Sequence, residues 1–125
     1  MQDEKISLLE NKFSHGRAID EQLNFLKEQL AENRSISTFL EESKKGSTEG
    51  IISVGRGVFM KANLESEKFF INVGAGIFLK KSLKETDKIV EEQISQLMDL
   101  TYRLNQEVQK NNSEMQKLIE EIERK

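Results

Sequence analysis

The middle of the chain is written twice. Val54-Gly55-Arg56-Gly57-Val58-Phe59-Met60-Lys61 returns nineteen positions later as Val73-Gly74-Ala75-Gly76-Ile77-Phe78-Leu79-Lys80. Each copy is an extended apolar run broken by Gly-x-Gly and resumed at once, the mark of a tight turn or bulge where strands bend or cross. On either side lies a long proline-free stretch with apolar residues at helical spacing. A short, duplicated β segment between two long helices constrains the fold more tightly than any single residue does.

The β region predicts four short strands, at about 51–55, 57–64, 68–74 and 76–81. Val58, Met60, Ala62 and Leu64 share one face; Phe69, Ile71 and Val73 share another, as do Ile77 and Leu79. Phe59, Phe70 and Phe78 point the opposite way. A sheet that is apolar on both sides must be covered twice, and so few strands cannot do that alone, so partner subunits are expected.

The second helix is expected from Ser82, where Ser82-Leu83-Lys84-Glu85 has capping-box spacing. Val90, Ile94, Leu97, Thr101, Leu104, Val108, Asn111, Met115, Leu118 and Ile122 then alternate steps of four and three without a slip. That is a heptad seam, and it predicts a left-handed supercoil with Asn111 as a register device. The first helix reads less cleanly. Ile6, Leu9, Phe13, Ile19, Leu23, Leu26, Leu30, Ile36 and Leu40 mostly step by three or four, but the stripe shifts near Gly16 and near Asn33. A helix with local irregularity is expected, with Asp3 as its N-cap and Gly46 or Gly50 in the loop that ends it. Each helix is about forty residues, or roughly 60 Å, so the two can pair antiparallel along their whole extent. One α+β domain over 1–125 follows, with helices at 3–43 and 82–124 around strands at 51–81. Both termini then meet at one end, away from the strands.

Charged residues make up 33% of the chain and aromatics 6%, which suits an extended structure with thin seams of burial. The net charge is −3 with both signs interleaved, so no nucleic-acid partner is expected. There is no cysteine, which removes disulfides and thiolate metal sites, and His15 has no second histidine to share a transition metal. No metal site, cofactor or catalytic group is expected. Catalysis needs an activating base or paired carboxylates in a dry cleft, and a two-helix coil offers none. Gly-x-Gly lacks the third glycine and following helix of a dinucleotide site. No signal peptide is visible and no apolar run is long enough to cross a bilayer, so a cytoplasmic protein is expected.

An antiparallel arrangement would gather Ile6, Leu8, Leu9 and Phe13 with Met115, Leu118, Ile119 and Ile122 at a free tip. These are the last layers of a seam, but Leu8 and Ile119 sit off it, and exposed apolar clusters mark interaction sites.

Ile71-Asn72-Val73-Gly74-Ala75-Gly76-Ile77-Phe78-Leu79-Lys80-Lys81-Ser82, running directly into the seam helix, resembles a prefoldin α-type subunit, as does Ser53-Val54-Gly55-Arg56-Gly57-Val58-Phe59-Met60-Lys61. The helix–four strands–helix order extends the resemblance over essentially the whole chain. It implies two β-hairpins, where β-type subunits carry one, and a hexamer of two α-type and four β-type subunits. The hairpins would form a β-barrel body from which coiled coils hang. It also implies an ATP-independent chaperone that holds unfolded polypeptides at the tips and passes them to a group II chaperonin. On that resemblance, client contact falls on Ile6, Leu9, Phe13, Met115, Leu118 and Ile122, and subunit assembly on Val54, Val58, Phe59, Phe70, Val73 and Phe78. The alternative is a scaffold subunit that assembles through the same strands but holds no client.

Overall fold

The computed structural model describes residues 2–46, 49–63 and 68–124. Leu64, and Ser47 and Thr48 of the expected loop, lie outside the described residues. The order of elements is α1 (Gln2–Lys44), β1 (Glu49–Gly55), β2 (Val58–Asn63), β3 (Phe69–Gly74), β4 (Ile77–Lys81) and α2 (Leu83–Glu123). The chain forms two compact units, Met1–Ala31 with Ser95–Lys125, and Glu32–Ile94.

All ten seam positions of α2 are buried or half-buried, while most residues between them are exposed. Ser82 caps this helix. Its hydroxyl accepts from the Glu85 amide at 3.1 Å, and the Glu85 carboxylate accepts from the Ser82 amide at 3.2 Å. Two otherwise orphaned amides are thereby paired.

In α1 the structure corrects the sequence reading. The inward positions are Gln2, Lys5, Leu9, Lys12, Gly16, Ile19, Leu23, Leu26, Leu30, Asn33, Ser37 and Leu40, each buried or half-buried. Their steps alternate three and four without a slip, so the expected irregularity at Gly16 and Asn33 does not occur. Ile6, Phe13 and Ile36, assigned to the stripe by their size, are 41%, 59% and 44% exposed, one place off the seam. Polar residues occupy seam positions because long side chains bury their stems and keep their charged heads in water. Asp3 is not the cap either: α1 begins at Gln2, so Asp3 lies in the first turn, where its charge favours the helix N-terminus. Gly46, at φ 84°, turns the chain after Lys44, and its amide donates to the Ser43 carbonyl at 3.1 Å. Gly50 belongs to β1.

Among the described residues of the unit Glu32–Ile94, the buried apolar ones are Leu40 and Val90. Ser43 and Thr86 are buried beside them in sequence, and each hydroxyl donates to a carbonyl of its own helix, those of Phe39 at 2.9 Å and Ser82 at 2.8 Å. Lys44 bridges the two helices here, reaching Glu41 at 2.8 Å and Asp87 at 2.9 Å.

The strands form two separate two-stranded antiparallel sheets, β1–β2 and β3–β4. The repeat explains their shared construction. Ser53 pairs with Phe59 and Gly55 with Val58, which leaves Val54 as an extra residue; Asn72 pairs with Phe78 and Gly74 with Ile77, which leaves Val73. Each hairpin thus carries the same bulge beside the same turn. The two turn residues have positive φ in both, at 48° and 77° for Arg56 and Gly57 and at 52° and 74° for Ala75 and Gly76. This mirror-image turn matches the twist of the strands it joins.

Candidate functional site

Two surfaces stand out from the rest of the described residues. The first is the pair of hairpins. Ile52 and Met60 are cross-strand partners on one face and Ser53 and Phe59 on the other; nineteen residues on, Ile71 pairs with Leu79 and Asn72 with Phe78. Both faces of each hairpin carry large apolar residues: Ile52 and Met60 stand opposite Ile51 and Phe59 in the first, and Ile71 and Leu79 opposite Phe70 and Phe78 in the second. The exposures match as closely as the sequences do. Val54 and Val73 are 57% and 55% exposed, and Phe59 and Phe78 are 63% and 58%. Val58 and Phe70 are likewise exposed, so all six residues expected to mediate assembly lie open. A two-stranded ribbon of this kind is marginal by itself and gains stability only when its apolar faces are covered.

The second surface is in the unit Met1–Ala31 with Ser95–Lys125, which holds all six residues expected to contact clients. Polar contacts between described residues hold α1 against α2 there. The Gln2 amide donates to the Ile122 carbonyl at 2.9 Å, and Lys5 lies 3.6 Å from Glu121. Lys12 pairs with Glu114, and Asn111 donates to the Lys12 carbonyl at 2.9 Å. The chain's beginning therefore does lie beside its end. Asn111 is only 5% exposed, and it comes this close to the α1 backbone because Gly16 leaves room: a Cβ there would stand 3.1 Å from the Asn111 amide nitrogen. The Lys12 hydrogen bond holds the Glu114 carboxyl below the usual carboxylate range. On the same side His15 approaches Glu107 to 3.8 Å, and a shallow groove of about 170 Å³ runs between these charged residues.

Around this closed seam the apolar residues divide. Leu118 is buried, at 9% exposure, and Leu9, Met115 and Ile122 are half-buried. Ile6 and Phe13 are open, and Leu8, which is not among the six, is 46% exposed. Ile6 and Phe13 follow the inward Lys5 and Lys12, one residue past the seam, so they share a flank of α1, while Leu8 precedes Leu9 and lies on the other flank. The sequence marked the end of the pair as apolar. It did not show which apolar residues face water, because that depends on the seam of α1. One signal was present: Lys5 and Lys12 are seven apart, as are Glu114 and Glu121.

Further along the same unit Phe25, Met98, Leu100 and Tyr102 are also exposed. Among the described residues there is no group of three or more His, Cys, Asp or Glu placed to hold a metal ion. None of the described helices is long and apolar enough to cross a membrane.

Comparison with known proteins supplies the frame for these surfaces. No curated protein matches the chain. Among solved structures, the filamentous PFD of Methanocaldococcus jannaschii superposes with a TM-score of 0.73 at 20% sequence identity, over 90% of this chain and 96% of that one. At such identity the likeness is one of fold. A family model described as "Prefoldin subunit" matches residues 16–125. A match over that much of its length places the chain in the prefoldin family, and two hairpins between two long helices are the architecture of its α-type subunits.

Proposed function

We propose that this chain is the α-type subunit of an ATP-independent holdase, acting as one domain over residues 1–125. The observation that carries this reading is the exposure of Ile6, Leu8 and Phe13 beside a helix pair that is already closed. Apolar side chains left wet next to a finished seam have no structural task there, and they offer adaptable contact to exposed segments of non-native proteins. Ile6 and Phe13 make first contact. Leu9, Met115 and Ile122 widen the surface, and Leu118 serves it chiefly by holding the two helices together.

One such end binds weakly. Several ends acting together retain a client through effective concentration. The hairpins supply that multiplicity: Val54, Val58, Phe59, Phe70, Val73 and Phe78 are covered by partner subunits in a hexamer of two α-type and four β-type chains. Delivery of the client to a group II chaperonin and a cytoplasmic setting complete the reading.

The experiment is light scattering from an unfolding model protein in the presence of the chain assembled with a β-type partner. The assembled wild type should suppress aggregation. Ile6→Ser with Phe13→Ser should leave assembly intact, since both side chains are exposed, and should abolish suppression. A scaffold that holds no client would leave scattering unchanged from the start, and full suppression by the double variant would remove the helix ends from the mechanism.

A further inference from the structure

The first four turns of α1 carry two overlapping seams. The one in use is Gln2, Lys5, Leu9, Lys12, Gly16, of which only Leu9 is a bulky apolar residue. The other is Gln2, Ile6, Leu9, Phe13, Gly16, which keeps three of the same positions and replaces both lysines with large apolar residues. Its steps of four, three, four and three run into a further three at Ile19, a stammer that a coiled coil accommodates by local overwinding. Beyond Gly16 the ambiguity ends, because Ile19, Leu23, Leu26 and Leu30 are apolar and inward.

Polar contacts, rather than apolar packing, select the seam in use. Lys5 meets Glu121 and Lys12 meets Glu114; Asn111 reaches the Lys12 carbonyl through the space over Gly16. Moving from one seam to the other needs a turn of roughly 50° about the axis of α1, half the angle between neighbouring residues. Glycine, the weakest helix former after proline, sits at the boundary where that turn must be absorbed.

We propose that residues 2–13 of α1 form a two-register switch, which turns over Gly16 to exchange Lys5 and Lys12 for Ile6 and Phe13 against α2 and so alternately displays and hides the apolar surface of this end. Asn111 is its latch, holding the displayed register by its bond to the Lys12 carbonyl. The client-related meaning of display and hiding rests on the function proposed above; the switch itself does not.

The chain contains no tryptophan, so Phe13→Trp gives a single reporter in the full-length protein. Adding Asn111→Ala releases the latch, and the reporter's emission should move to the blue with a several-fold fall in acrylamide quenching. Lys5→Leu with Lys12→Leu makes the displayed register the apolar one. In that background emission should stay red and quenching high, with or without Asn111→Ala. Should Asn111→Ala weaken folding, Glu114→Gln with Glu121→Gln releases the lysines from the surface instead and should produce the same blue shift. Unchanged emission and quenching in a released variant that keeps its helicity by circular dichroism overturns the switch. Aggregation suppression measured on the same proteins assembled with a β-type partner separates the two claims: its absence in every assembled variant removes the client reading, while the fluorescence still decides the register.

Discussion

Gly16 and Asn111 are each unfavourable alone and fit only as a pair. Glycine in a helix interior costs about 1 kcal/mol against alanine. A buried amide must find a partner, and Asn111 finds the Lys12 carbonyl only because no Cβ stands at position 16. Gly16→Ala should therefore be close to neutral, its gain in helix propensity offset by displacing an amide 3.1 Å away. With Asn111→Ala already present, the same change should stabilise by about 1 kcal/mol. A double-mutant cycle by urea denaturation reads the difference, and additivity of the two changes would dissolve the pair. A second residue-scale prediction concerns the turns. Ala75 holds φ 52° and Arg56 φ 48°, a region that costs most L-residues roughly 1–2 kcal/mol but suits asparagine. Ala75→Asn should raise the thermal midpoint, whereas Ala75→Val should lower it.

At the scale of elements, the two helices differ in how plainly they are written. The seam of α2 is apolar at all but Thr101 and Asn111, so spacing alone displays it, and its capping box is visible as Ser82 and Glu85. The seam of α1 is hidden because Lys5, Lys12, Gly16, Asn33 and Ser37 occupy it, and beside Lys5, Lys12 and Ser37 a large apolar residue stands one place away. A rule that follows the greasiest residues selects Ile6, Phe13 and Ile36. The helix instead keeps its strict alternation, since lysine stems bury readily and their heads meet Glu114 and Glu121. The hairpins were legible as strands and turns, but the paired bulges depend on register, which the alternation of side chains does not fix where both faces are apolar. Two carboxylates tie this architecture to pH. The Ser82 amide and hydroxyl hold Glu85 below its ordinary value of 4.5, and the Lys12 ammonium does the same for Glu114. A depressed carboxylate stabilises the folded state above its unfolded pKa, and that contribution is lost as pH falls through the folded value. Stability should thus decline on acidification below about 4.5, and Lys12→Met should return Glu114 to the ordinary range in a carboxyl NMR titration. Ser82→Ala should cost about 1 kcal/mol through the lost cap, read by chemical denaturation at neutral pH.

For the molecule as a whole, the decisive quantity is apolar surface that one chain cannot hide. Phe59 and Phe78 stand 63% and 58% exposed on hairpins that share a sequence, a register and a bulge. The two copies are therefore equally open in the lone chain. Each hairpin also has open hydrogen-bonding edges, which isolated proteins blunt with charge or proline and which here border valine, isoleucine and phenylalanine. The equivalence makes a quantitative expectation possible. If both hairpins are covered by partner subunits, Phe59→Lys and Phe78→Lys should each remove contacts of one hairpin and leave the other able to associate. Each single variant should then give smaller assemblies with a β-type partner in native mass spectrometry, and the double variant should not assemble. Because both side chains are exposed in the lone chain, neither change should alter its helix content by circular dichroism. Full-sized assemblies from the double variant would move the contact surface away from the hairpins, whereas complete loss from either single variant would mean that the two copies act as one cooperative interface.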